Sequence, residues 1–438
     1  MTPTLRTIDH RLQHRYQLLV QEHAGQAHPT AAGPRCLPSP AQAKAQAQAA
    51  WRFFHNPRLD LPTLMQPLVE LARQETPTAC HQYALIVHDW SALNYSSHTA
   101  KKDRLHFGRG RGWGYELYTA LLVSDRQGQP IAPLRVRLRG GTGICDSAQP
   151  RQKHAPEVHL DSLTPIMHDL RAGDLPRPLV HIIDAEGDSV YHLRQWHAAG
   201  HYFLVRTDDQ RVVRYRDADW NLPDVVQRLR KDKAFTATRA VSFHGQSATQ
   251  YVAETNVVLA RPAWLHRISD GRRQRRVVPG DPLPVRLIVS EVRAADGTVL
   301  ARWQLLTNLP ATVDAATVAL WYYWRWQIES YFKLLKSAGQ QLEHWQQENA
   351  AAVTRRLLVA SMACVLVWRL ARSTAPQATA ARQLLQQLSG RQVAWGKGYT
   401  EEALLAGLWV LLAMIAVLKE HTPTDLQEIA DFILAGSG

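Results

Sequence analysis

Cysteine is scarce, with four in 438 residues at Cys36, Cys80, Cys145 and Cys364 and no CxxC pair among them. That scatter argues against a disulfide frame or a thiolate zinc site and reads as free thiols in a reducing compartment. The N-terminal MTPTLRTIDHRLQHRYQ has no apolar stretch of the signal-peptide kind. The apolar run Leu404–Leu418 is 15 residues long, short of the roughly 20 that cross a bilayer. Glu401 and Glu402 stand just before it, so it reads as a buried helix and no membrane is expected. No internal repeat is present. Acidic residues are in deficit, 38 against 51 Lys and Arg, for a net charge of +13. Such an excess suits a polyanionic partner, since each neutralised phosphate releases counterions. Hydrophobic residues at 45% and charged residues at 20% indicate folded, globular chain.

The pattern along the chain divides it into five parts. Residues 1–75 are helical: a polar start, a break at Ala31–Pro40, the Ala- and Gln-rich AQAKAQAQAAWRFFHN, and a helical period through Leu59–Arg73. Residues 76–207 alternate strands and helices. YALIVHDW, Leu117–Ser124, Ile131–Leu138, Pro178–Asp184 and Tyr202–Arg206 read as strands, the third alternating apolar Val136 and Leu138 with Arg135, Arg137 and Arg139, and Ser189–Ala198 reads as a helix. Residues 208–300 form a β-rich insertion, with strands at Gln250–Leu259 and Pro284–Glu291. A strand at Val299–Leu306 returns to the α/β core, whose second part covers 301–370 and includes a long aromatic helix beginning near Ala315. Residues 371–438 are helical.

Asp89 and Asp184 each close an apolar strand, and ligands bind at the C-terminal edge of parallel sheets. Glu329 lies in the aromatic helix. Two aspartates and a glutamate supply hard oxygen ligands for two divalent ions about 4 Å apart, the kind that magnesium or manganese takes. Each acid has a second reading: an Asp after a strand caps a turn, and a helical Glu faces solvent. In a continuous helix Tyr322 and Lys336 lie about 20° from Glu329, and Arg325 about 40°. A phenol, a guanidinium and an ammonium beside a metal-binding carboxylate suit passing phosphates; Arg325–Glu329 as a surface ion pair is the alternative.

Tyr322, Arg325, Glu329 and Lys336 have the spacing Y-x2-R-x3-E-x6-K. This resembles the signature of a large family of bacterial insertion-sequence transposases of the cut-and-paste type, with an RNase H-like core and a DDE triad. IVHDWSALNY around Asp89, and IIDAEGDSVYHLRQW with HYFLVRTDD around Asp184, are similar to that family's two Asp segments. RWQLLTNLP resembles its strand returning from a β-rich insertion. AAWRFFHNPRLDLPTLMQP is similar to the end of the N-terminal DNA-binding domain of one subgroup. The chain departs from the family pattern at Trp90, where a threonine or serine is common, and after Asp184, where Ala185 and Glu186 replace a frequent arginine.

The resemblance implies a mixed-sheet RNase H-like core broken by the insertion, and a homodimer that binds the terminal inverted repeats of its own element. Asp89, Asp184 and Glu329 would hold two Mg²⁺, with Mn²⁺ as substitute, for cleavage, hairpin formation, hairpin opening and joining to target DNA. In the resembled subgroup a base flips onto an aromatic side chain of the insertion, a role that falls to Trp303, with Trp264 behind it; Trp303 as a core strand residue is the alternative. Arg272, Arg273, Arg275 and Arg276 form a basic turn, either on DNA backbone or solvated. The helical tail is the place for subunit contacts, or else completes the monomer's core. The implied location is the bacterial cytoplasm, on the nucleoid. Competing readings are a nuclease of the same fold that does not join strands, and a transposase-derived DNA-binding protein without catalysis.

Overall fold

The computed structural model describes residues 9–24, 40–108, 110, 112–149, 159–243, 245–269, 272–336, 339–392 and 398–435. The chain opens on helices α1 (His10–Ala24), α2 (Pro40–His55) and α3 (Leu61–Ala79). Strands β1 (Ala84–Asn94), β2 (Leu105–His106), β3 (Trp113–Ser124), β4 (Pro130–Gly140) and β5 (Gly143–Asp146) follow. Then come α4 (His159–Ala172), β6 (Leu179–Ile183), α5 (Val190–Ala198) and β7 (Tyr202–Arg206). The next segment holds β8 (Val212–Tyr215), β9 (Ala218–Asn221), α6 (Leu222–Lys231), β10 (Thr236–Phe243), β11 (Gln246–Leu259), β12 (Ala263–Ser269), β13 (Arg272–Val278) and β14 (Leu283–Arg293). The chain ends with β15 (Val299–Thr307), α7 (Ala315–Tyr323), α8 (Trp326–Leu335), α9 (Ala350–Arg372), α10 (Pro376–Leu388), α11 (Glu401–Val417) and α12 (Pro423–Ala435).

Among the described residues thirteen strands make one sheet, in the order β5-β4-β3-β1-β6-β7-β15-β14-β11-β8-β9, with β2 on β3 and β10 on β11. Strands β1, β6 and β7 run parallel; β3 and β4 pair antiparallel beyond β1, and β15 pairs antiparallel to β7. This is the expected RNase H-like mixed sheet with helical regions before and after it. The β-rich insertion extends the same sheet through β14, β11 and β8, and only the β12–β13 hairpin stands apart. The stretch 208–300 also contains α6, whose apolar Leu222, Val225, Val226 and Leu229 are buried.

Local chemistry explains the boundaries. Asp60 starts α3 by accepting from Thr63 N at 2.7 Å, Asp314 starts α7 by accepting from Thr317 N at 2.9 Å, and Asn349 starts α9 by accepting from Ala352 N at 3.0 Å. The apolar start of β1, Ala84–Val87, is buried on both faces, as strands inside a covered sheet are. Helix α9 packs on α1, α2, α3, α8, α10, α11 and β4, so the N-terminal helices share one core with the sheet. Each Leu buried there, such as Leu357 and Leu358, contributes about 1.5–3 kcal/mol. Among the described residues α9 is the one helix long and apolar enough to cross a bilayer, and 83% of its apolar window is buried inside the fold. Length and composition alone therefore do not mark a span. In α11 the expectation of a buried helix holds only at its start, where Ala403–Leu405 are packed, whereas Met414, Ile415 and, just past its end, Leu418 are exposed.

Four expectations need correction. The helix from Ala315 is not continuous: α7 ends at Tyr323, and a tight turn in which Arg325, Gln327 and Ile328 each bond three residues back restarts it as α8. Tyr322, Arg325, Glu329 and Lys336 therefore do not form a single outward stripe. Asp89 does not end its strand, because β1 continues to Asn94 against β3; it lies past the end of the parallel ladder with β6, which stops at Val87. The GRRQRR arginines lie on strand β13 rather than in a turn. In β4, Arg135 and Arg137 are buried despite the alternation, since Asp146 on β5 takes Arg135 at 2.8 Å and Arg137 at 3.0 Å.

Two histidines fill a buried polar gap between β1 and β6. His88 and His181 are 1% and 0% exposed, share a 2.9 Å hydrogen bond, and His88 is tied to the Tyr118 hydroxyl at 2.7 Å. Burial removes the hydration a cation needs, pushing His88 down to about 3 and His181 well below the ordinary range. A histidine depressed in the folded state contributes stability that is complete above its unfolded value, about 6.5, and that is lost as pH falls below it. The full-length protein should therefore lose about 1.4 kcal/mol per pH unit below 6.5 for each such histidine. His181→Gln should have a shallower slope in denaturant titrations at pH 7, 6 and 5, and parallel slopes would refute this.

Candidate active site

Asp89 projects from β1 beside the C-terminal end of β6, and Asp184 directly follows β6. Asp184 begins the 3-10 turn Ala185–Gly187 and accepts from Glu186 N at 2.9 Å. Glu329 sits in the first turn of α8. The third acid is brought to the first by Arg325, whose Nη1 donates to Asp89 Oδ2 at 3.1 Å and whose Nη2 donates to Glu329 Oε1 at 2.6 Å. Asp89 also accepts from Trp90 N at 2.8 Å. Burial raises the Asp89 carboxyl to about 6; Arg325 and the Trp90 amide oppose that rise, while Asp184 and Glu329 add to it. Asp89 thus lies within electrostatic range of both other acids.

The donor set consists of carboxylates, which fits a hard divalent cation. In the arrangement described, the Arg325 guanidinium stands between Asp89 and Glu329 and supplies the positive charge itself. Among the described residues no three His, Cys, Asp or Glu side chains gather closely enough to hold a metal ion.

The other signature residues dock the helix pair on the sheet. Arg325 is 8% exposed and lies over the Trp326 ring at 5.7 Å. Tyr322 is buried, which pushes its phenol up. Lys336, just past α8, donates to Ser91 Oγ at 2.9 Å and Ala92 O at 2.7 Å, two and three residues beyond Asp89. Burial lowers its ammonium. Trp303 lies half-buried on β15 in a small cavity shared with Tyr322, Arg325 and Trp326. Trp264 is exposed and lines a cleft of about 530 Å³ together with Ala185, Asp188 and Arg261. Arg276 is exposed on β13, while the side chains of Arg272, Arg273 and Arg275 lie outside the described residues.

Two residues that the sequence reading did not single out complete the surroundings. His159, at the start of α4, stacks on Trp90 and faces Glu116 and Glu186. Asp188 is buried against Arg211 and Thr207, which anchors the loop after Asp184. Neither had a periodicity or spacing signal, because their partners lie on distant segments.

Arg325→Gln tests the electrostatics. A carboxyl whose folded value lies above its unfolded one costs stability as pH rises through that folded value, and losing the guanidinium deepens the cost. At pH 8 the variant should lose about 2 kcal/mol of unfolding free energy, because Asp89 and Glu329 are left unpaired. At pH 5, where Asp89 is largely protonated, the loss should shrink. Denaturant melts at both pH values measure it, and equal losses would assign the role to packing.

No family model matches the chain, and no curated protein matches it. Among solved structures it is similar to a cryo-EM structure of a piggyBac transposase synaptic complex with hairpin DNA. That likeness has 9% identity, covers 99% of this chain and 77% of that one, and has a TM-score of 0.38. A likeness of that degree carries no argument about function.

Proposed function

We propose that the protein is a DNA transposase that cleaves at terminal inverted repeats and joins the freed ends to target DNA. The observation supporting this most directly is Arg325 donating to both Asp89 and Glu329, with Asp184 directly after β6, the strand paired in parallel with β1. On this reading Asp89, Asp184 and Glu329 hold two Mg²⁺, or Mn²⁺ in their place. When bound, such ions supply positive charge at the attacking and leaving oxygens of an in-line displacement at phosphorus.

The chain's own residues have separate tasks. Arg325 exchanges its carboxylate partners for phosphate oxygens of a bound DNA end, which frees Asp89 and Glu329 for metal; its planar fork suits either partner. Lys336 holds the strand bearing Asp89 through Ser91 and lends charge beside the phosphates. Residues 1–75 bind DNA, 76–207 and 301–370 form the catalytic core, 208–300 is the insertion, and 371–438 contribute to a dimer on paired ends. Exposed Ile429, Phe432, Ile433 and Leu434 on α12 give that tail an apolar surface for such contact. The net charge of +13 supports a polyanionic partner.

The deciding experiment is a cleavage and joining assay with the element's own ends and Mg²⁺. Asp89→Asn, Asp184→Asn and Glu329→Gln should each abolish strand cleavage while end binding persists in gel shifts. A single variant cutting at the parent rate would remove that residue from the site, and cleavage without joining would make the protein a nuclease.

Trp303 serves the hairpin step on this reading, as the surface on which an extruded base stacks. Trp303→Ala should leave the first nick intact and slow hairpin formation about tenfold, since stacking on an aromatic is worth ~1–3 kcal/mol per base. A denaturing-gel time course on a labelled end separates the two steps. Equal loss of both would assign Trp303 a purely structural role.

A further inference from the structure

His159 belongs to no motif, yet the fold sets it between the segments that carry the two aspartates. Its ring lies face to face with the Trp90 indole, with centroids 4.7 Å apart and planes 8° apart, and Trp90 follows Asp89 on β1. Nδ1 faces Glu186 Oε2 at 3.0 Å, and it is the Glu186 amide that Asp184 caps. Nε2 faces Glu116 Oε1 on β3, the strand paired with β1, and Arg139 on β4 holds the other Glu116 oxygen at 3.1 Å. A carboxylate at each ring nitrogen requires a proton on both, because only the imidazolium donates twice. Burial works against that charge, and the hydrogen bonds and charges of Glu116 and Glu186 outweigh it, raising the ring to about 9.

A packing residue would need only the stacking face, whereas this one has both nitrogens committed to acids from different elements. We propose that His159 is a positioning residue: its imidazolium, bridging Glu116 and Glu186 and stacked on Trp90, fixes the turn bearing Asp184 against the strand pair bearing Asp89. The 3-10 turn is three residues long and too short to hold Asp184 by itself. A misplacement of about 1 Å at such a site costs on the order of a hundredfold in rate. The role rests on the reading of Asp89 and Asp184 as metal ligands.

The test compares His159→Gln, which is neutral, with His159→Arg, whose fork spans two carboxylates and stacks on indole. Mn²⁺ is titrated calorimetrically into the full-length protein, with Asp89→Asn as the control that abolishes binding. His159→Gln should weaken Mn²⁺ binding about tenfold at temperatures well below its own melting temperature, and lower kcat for cleavage without raising KM for DNA. His159→Arg should restore both. Affinity within about twofold of the parent in His159→Gln, or a loss that tracks the melting temperature and is not rescued by arginine, overturns the proposal. Unchanged Mn²⁺ binding in Asp89→Asn would instead sink the metal reading. Positioning is then decided by amide hydrogen exchange over residues 185–189, expected to be about tenfold faster in His159→Gln and restored in His159→Arg; unchanged exchange overturns it.

Discussion

Arg325 donates to Asp89 at 3.1 Å and to Glu329 at 2.6 Å, and the rest of the site is arranged around that shared guanidinium. Without it, carboxylates from three distant segments would converge at a half-buried sheet edge with little to offset their repulsion, an arrangement that favours protonation or separation. The break between α7 and α8 serves this contact. The turn at Trp324 and Arg325 points the guanidinium inward while α8 presents Glu329, and a straight helix would have left both on one outer stripe. Trp324 is tied to the sheet as well: a Cβ on Gly128, in the β3–β4 turn at φ +68, would meet its ring at 2.3 Å. The guanidinium thus offsets the charges of Asp89 and Glu329 from within the fold.

Ion pairs of the inverse design, one acid held by several arginines, recur across the sheet. Asp146 neutralises Arg135 and Arg137 on β4, and buried Glu291 on β14 takes Arg230, Arg293 and Arg302. Each is a buried acid surrounded by arginines, the arrangement by which a basic chain places charge inside a broad sheet at least desolvation cost. The Asp146 pairs join the neighbouring strands β4 and β5, and Glu291 ties α6 to the adjoining strands β14 and β15.

The departures from the resembled transposase pattern have a local account. Trp90, where a small hydroxyl residue is common, stacks on His159, and Glu186, two places after Asp184, accepts from the same ring. The two positions that differ are therefore coupled through a third residue. Their effects should be read together, because groups in one hydrogen-bond network do not act additively.

Periodicity and end signals in the sequence determined the main strands of the α/β core, the long strands β11, β14 and β15, and the helical ends. The mixed-sheet class came from the family resemblance, and the shorter strands and β13 came only from the structure. Strands such as Tyr202–Arg206 are written in consecutive residues, and a local pattern is sufficient for them. The sequence also offered Asp89, Asp184 and Glu329 as candidates, since an acid after an apolar run and a spaced signature are linear features. What only the tertiary structure decided was how those acids are held: Arg325 turned inward by a helix break, Lys336 docked on Ser91, Arg135 and Arg137 buried despite their alternation, and His159 clasped between Glu116 and Glu186. These depend on charges approaching within about 3 Å across 100 residues or more for Arg325 and Lys336, and across 27 to 43 for His159. A polar side chain reads the same in sequence whether it meets water or a partner, and the choice is made only when the sheet closes around it.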